Sequence, residues 1–154
     1  MTAEEFLSAP SKLRAAIAAD MDHLAALRTV AERCTSQIDL VSGSHASGSH
    51  GKLEDIILRI AEEEEKTNTR IADLAELEKT VTDVICQVPN ALQRSALLMR
   101  YMQGLSLREI ASRLYVSKTT GSMLHKAGIK AVEAILQNKE EGGETDGAAA
   151  GIQP

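Results

Sequence analysis

Apolar residues at spacings of three and four dominate the first half of the chain. Leu13, Ile17, Met21, Leu24, Leu27 and Ala31 form one stripe, with Arg14, Asp20, Asp22, Arg28 and Glu32 mostly opposite it. This pattern predicts an amphipathic helix from about Ser11 to about Thr35, started by Pro10 and Ser11. A second stripe, Leu53, Ile56, Ile60, Thr67, Ile71, Leu74, Val81, Val84, Ile85 and Val88, weakens at Glu62, Glu63, Glu64 and Glu65 and then recovers. Lys52 to Val88 contains no Gly or Pro, so a helix about 55 Å long is expected there. Neither stripe can be buried by its own helix. The long helix must pair with the first helix, with another chain or with both, and an antiparallel hairpin between the two helices is the simplest arrangement.

Between the stripes, from Ser36 to Gly51, Ser42-Gly43-Ser44-His45 is echoed by Ser47-Gly48-Ser49-His50. Such sequence predicts a flexible connection. Its two histidines raise the question of a metal, but no Cys or carboxylate cluster stands beside them, so no metal site is assigned.

The pattern changes at Val88-Pro89-Asn90, where proline ends the long helix. Asn90 is placed to cap a new helix, with Gln93 completing a capping box, and Leu92, Ala96, Leu97, Met99 and Tyr101 supply its packing face. Gly104 stands at the left-handed position that ends a helix, followed by Leu105 as its hydrophobic contact. Ser106 and Glu109 form a second capping box, opening a helix that turns Leu107, Ile110, Ala111 and Leu114 inward. Tyr115-Val116 is the turn, with Val116 as a buried plug, and Ser117 caps the last helix. This order reads as a helix-turn-helix.

Composition adds to this picture. Hydrophobic residues are 44% of the 154, aromatics only 2%, as in helical, partly coiled-coil proteins. The net charge of −5 hides a basic island. From Asn90 to Lys139 eight bases face only Glu109 and Glu133, whereas acids prevail on both sides. A polyanion is the expected partner of the island. Cys34 and Cys86 form no CxxC, would lie tens of ångströms apart in the hairpin, and so cannot be bridged. With no apolar run of bilayer length and no signal-like N-terminus, a cytoplasmic location is expected. No phosphate-binding glycine loop, metal cluster or nucleophile–base pair is recognisable, so neither an enzyme nor a cofactor is expected.

The run from Leu97 to Leu114, followed by Ser117, resembles region 4 of bacterial sigma factors, which reads the −35 promoter element. With the acidic helical segment before it, the chain is similar to small phage and prophage regulators of the ArpU and RinA type. His125 also sits where those regulators often carry a histidine. The resemblance implies control of late phage genes, and it also implies contact with RNA polymerase. A packaging role like that of terminase small subunits is a further alternative, although there the DNA-binding module usually comes first. Gly121 and Gly128 depart from the family pattern. They lie seven apart on one helical face, which fits either close approach of the preceding helix or a loosened last helix, at roughly 1 kcal/mol per glycine.

Taken together, an all-α protein is predicted. Residues 1–89 form a helical hairpin for self-association, with the Ser/Gly-rich loop at 36–51. Residues 90–137 form the DNA-binding module, and 138–154 an acidic, disordered tail. Base edges in the major groove are expected to meet Lys118, Thr119, Ser122 and Met123, with Thr120 at the edge and Ser117 at the cap. Phosphates are expected to meet Arg108, Arg113, Lys126 and Lys130. Tyr101 and Tyr115 fall at packing positions, and His125 at the surface or facing phosphate.

Overall fold

The computed structural model describes residues 1–40 and 47–148, and every regular element among them is helical. The elements are α1 (Ala3–Leu40), α2 (Ser47–Cys86), α3 (Ala91–Leu97), a π-helical turn (Leu98–Met102), α4 (Leu107–Arg113) and α5 (Lys118–Ala148). The chain divides into two compact units, one made of Met1–Ser11 with residues from Glu76 onward, the other of Lys12–Ala75.

Helix α1 starts eight residues earlier than the sequence predicts, and the reason is chemical. Thr2 and Glu5 form a capping box: the Glu5 amide donates to Thr2 Oγ1 at 3.2 Å, and the Thr2 amide donates to Glu5 Oε2 at 2.8 Å. Pro10 therefore lies inside the helix, where it removes one backbone bond at a cost of about 3 kcal/mol. Burial offsets this cost, since Leu7 and Pro10 are both fully enclosed. α1 also runs on to Leu40 and α2 begins at Ser47, so helix replaces both ends of the connection expected at 36–51. His45 lies outside the described residues, as does the side chain of His50.

Within Lys12–Ala75 the helices run antiparallel, in a register fixed by polar pairs. Arg70 meets Asp20, and Arg28 meets Glu64. Asp20 and Arg70 fall on the heptad seams traced by Leu13, Ile17, Leu24 and Leu27 on one helix and by Ile60, Thr67 and Leu74 on the other. A polar pair in such a seam selects register more than it adds stability. The seam buries little: among the described residues only Ile17, Leu24 and Thr67 are enclosed, and the Thr67 hydroxyl donates back to the Glu63 carbonyl at 2.8 Å. Met21 and Ile71, expected in the stripes, are about half exposed. Of the four consecutive glutamates, Glu63 pairs with Lys66 and Glu64 with Arg28.

The other unit holds the main core, built from Ala3 and Leu7 of α1, Val81, Val84, Ile85 and Val88 of α2, Leu97 of α3 and Val132 of α5. Phe6, Tyr101, Ile129 and Leu136 pack around it. The first turns of α1 and the last turns of α2 thus complete the core that the sequence assigns to residues 90–137 alone. The two cysteines are free. Helix α5 continues to Ala148, into the stretch predicted to be a disordered tail. No helix among the described residues is long and apolar enough to cross a membrane.

Candidate DNA interface

The interface is built from local capping chemistry. Asn90 accepts from the amides of Leu92 and Gln93 at 3.0 and 3.1 Å, satisfying two donors at the start of α3. The Gln93 side chain does not return to Asn90, so the expected box is half made. Arg94 instead turns back on the linker, donating to the carbonyls of Val88 and Pro89. Arg94 is thereby a structural base rather than a free one.

After Leu97 the helix widens into the π turn, with the Gln103 amide reaching the Leu98 carbonyl. Gly104 follows at φ +72°, as predicted, and the Leu105 amide closes the end on the Met99 carbonyl at 3.0 Å. That bond spans one residue more than an ordinary glycine stop, because the widened turn has taken up an extra residue. Arg100 fastens the same corner through the Leu105 carbonyl.

Helix α4 opens with the full Ser106–Glu109 capping box. Hydrogen bonding to the Glu109 carboxyl, first from the Ser106 amide and then from the Ser106 side chain, holds it below its ordinary pKa. Ile110 and Ala111 are buried, and Val116 is half-buried rather than a fully buried plug. The α4 end is closed by the Val116 amide donating to the Ala111 carbonyl, with Tyr115 in the left-handed conformation at φ +56°. Tyr115 is not a packing residue, because it is 96% exposed: the turn that closes α4 points it outward. Leu92, expected on the packing face of α3, is also largely exposed.

Ser117 caps α5, accepting from the Thr120 amide at 3.1 Å and donating to the Thr120 hydroxyl at 2.8 Å. From there α5 has two distinct faces. Gly121, Gly128 and Val132 are buried on one face. A Cβ at Gly121 would stand 2.9 Å from Ala111 Cβ, and one at Gly128 would stand 3.0 Å from Leu97 Cγ. The two glycines therefore seat α4 and α3 against α5, which decides between the two readings in favour of close approach. The opposite face presents Thr119, Met123, Lys126 and Lys130 to solvent, with Ser122 half-buried at its edge. Those positions are three or four apart and line one side of the helix. Lys118, Thr120, Arg108 and Arg113 are exposed as well, and Arg113 makes a long bond of 3.4 Å to Gln103 Oε1.

His125 does not face outward. It is half-buried, its Nε2 is 3.0 Å from the Tyr101 hydroxyl, and the two rings stack at 5.7 Å between centroids. Burial, followed by the nearby Arg100 guanidinium, holds the imidazole below its ordinary pKa, against an opposing pull from Glu4. Burial and Glu4 push the Tyr101 phenol up. The contribution of Glu4 and of the π turn to this site comes from distant or unpatterned residues. The Thr2-x-x-Glu5 spacing could have placed Glu4 in a helix, whereas nothing in the sequence marks the π turn.

Residues 90–127 match the family model for sigma-70, region 4. The match spans α3, the π turn, α4 and the first part of α5, so this part of the chain is a sigma-region-4-like helix-turn-helix of the DNA-binding, transcription-related kind. No curated protein and no solved structure matches the chain.

Proposed function

We propose that the protein is a transcription regulator that binds duplex DNA through α5 and controls late genes of a phage or prophage. The carrying observation is the division of α5 into a face sealed by Gly121, Gly128 and Val132 and a face offering Thr119, Met123, Lys126 and Lys130 beyond a capped N-terminus. Such a helix fits the major groove, while Arg108 and Arg113 on α4 suit the flanking phosphates. The reading has no catalytic step and no cofactor, and it puts the protein in the cytoplasm with its DNA. The helices of Lys12–Ala75 serve self-association, which lets two modules engage neighbouring sites.

A second reading has one specific observation in its favour. From Lys118 to Lys130 the exposed face of α5 holds no Arg, Asn or Gln, the side chains best suited to bidentate base contacts. A module that grips RNA polymerase and touches DNA weakly would need none. Selection of bound fragments from phage and host DNA separates the two. Enrichment of one recurring sequence motif is expected, and unselective recovery together with polymerase binding in the absence of DNA would overturn the regulator reading.

A further inference from the structure

We propose that one flank of the Lys12–Ala75 hairpin is the docking face for a second copy of this chain. This rests on the self-association reading above and names its surface. Met21, Leu24 and Arg28 of α1 and Glu64, Asn68 and Ile71 of α2 line a single groove of about 380 Å³. Its floor is Leu24 and Thr67, with Met21 51% and Ile71 40% exposed beside them.

The flank continues along α2. Ile57, Ala61, Glu64, Asn68 and Ile71 follow at alternating spacings of four and three, which is the seam spacing of a coiled coil. It lies beside the seam that already faces α1. Ile57 is 54% exposed. On α1 the same flank carries Met21, Ala25 and Arg28, where the small Ala25, like Ala61 on α2, leaves room for a neighbouring helix. Among the described residues the hairpin's own seam encloses only three side chains, too little core for a two-helix unit to be complete by itself.

Charge selects the occupant. The rim holds Arg28 and Glu64 side by side, so a two-fold partner would set the Arg28 of each copy near the Glu64 of the other. A strongly basic or strongly acidic partner would meet one matching and one opposing charge instead. From Ile57 to Ile71 the helix is about 22 Å long and a helix pair is about 20 Å wide. About 450 Å² per copy, or about 900 Å² in total, would be covered, below stable interfaces and in the range of weak, transient ones. The dimer is accordingly reversible, and DNA carrying two sites strengthens it.

Sedimentation of the full chain over a micromolar concentration series tests this. The unmodified protein is expected to move from monomer to dimer. Met21→Glu with Ile71→Glu is expected to stay monomeric with unchanged helical circular dichroism, and Leu58→Glu, on the outer face, is expected to dimerise as before. A cross-linking measurement does not depend on the variant folding under strain. In a Cys34→Ser, Cys86→Ser background, Asn68→Cys should couple to its own copy through a bis-maleimide faster than Leu58→Cys. A chain that stays monomeric throughout, or equal or reversed cross-linking, would overturn the proposal while leaving DNA binding untouched. A dimer with no affinity for DNA would instead sink the regulator reading and leave this face standing.

Discussion

Replacing Gly121 by alanine sets two effects of opposite sign against each other. An ordinary helical glycine gains about 1 kcal/mol on becoming alanine. Here the added Cβ would stand 2.9 Å from Ala111 Cβ and 3.3 Å from Ala111 Cα, against about 3.5–4.0 Å for a relaxed carbon contact. Neither obstructing atom is the end of a flexible side chain, so α4 and α5 would have to part. Overpacking of this kind costs about 1–3 kcal/mol. Subtracting the propensity gain leaves a net destabilisation of about 1 kcal/mol, and up to about 2. Urea unfolding reads this as a lower midpoint at unchanged slope. Ala111→Gly made together with Gly121→Ala removes the nearer of the two obstructing atoms, so the double-mutant cycle should show a favourable coupling of about 1 kcal/mol. Gly143→Ala, where an added Cβ meets nothing, is the control and should be neutral or stabilising. A Gly121→Ala variant stabilised by about 1 kcal/mol would refute the close-packing account.

Three other outcomes follow from the same geometry. Leu7→Ala, at a fully buried position beside α2 and α3, should cost the helix-turn-helix unit about 2–5 kcal/mol, read as lost amide-exchange protection in α3 and α5. Unchanged protection there would mean that the first turns of α1 are dispensable. Tyr115→Gly should raise stability by about 0.5–1 kcal/mol, because it removes left-handed strain at a side chain with almost no contacts; a loss of stability would show that the phenol is packed after all. His125 has a folded pKa below its ordinary 6.5, so the unfolded chain binds more protons in the acid range. Its contribution is fully present above 6.5 and is lost as the pH falls through the folded value. His125→Gln should flatten that part of the stability–pH curve, and an identical curve would contradict the buried, neutral imidazole.

Most of the helix-turn-helix was legible because its signals are local. Asn90, Gly104, Ser106 with Glu109, and Ser117 each act on backbone groups within a few residues, so the sequence carries the whole interaction. The heptad spacing of Ile17, Leu24, Ile60 and Thr67 was legible for the same reason. What it hid was non-local or competing. Pro10 reads as a helix start, yet the Thr2–Glu5 box about two turns earlier outweighs it once Leu7 and Pro10 are buried. That Ala3 and Leu7 fill the core of a module beginning at Asn90 depends on chain return, which no local pattern records. The π turn leaves no residue signature, and Tyr115 looked like core because it falls at a packing position of the helix-turn-helix. The inward turn of His125 depends on where the widened turn puts Tyr101. On the candidate interface, the sequence placed the bases on the exposed side but left two readings of the glycines, and only the distance from Gly121 to Ala111 decides between them.

The proposed regulator function requires the exposed face of α5 to hold duplex DNA. Fluorescence anisotropy on a labelled duplex at fixed low salt tests it most directly, comparing the unmodified chain with Lys118→Glu, Lys126→Glu and Lys130→Glu combined. The unmodified chain should bind with a log–log salt slope of about −4 to −5, for about five neutralised phosphates, and the triple variant should lose nearly all affinity with its helical content intact. Equal affinity for the two proteins would contradict the claim.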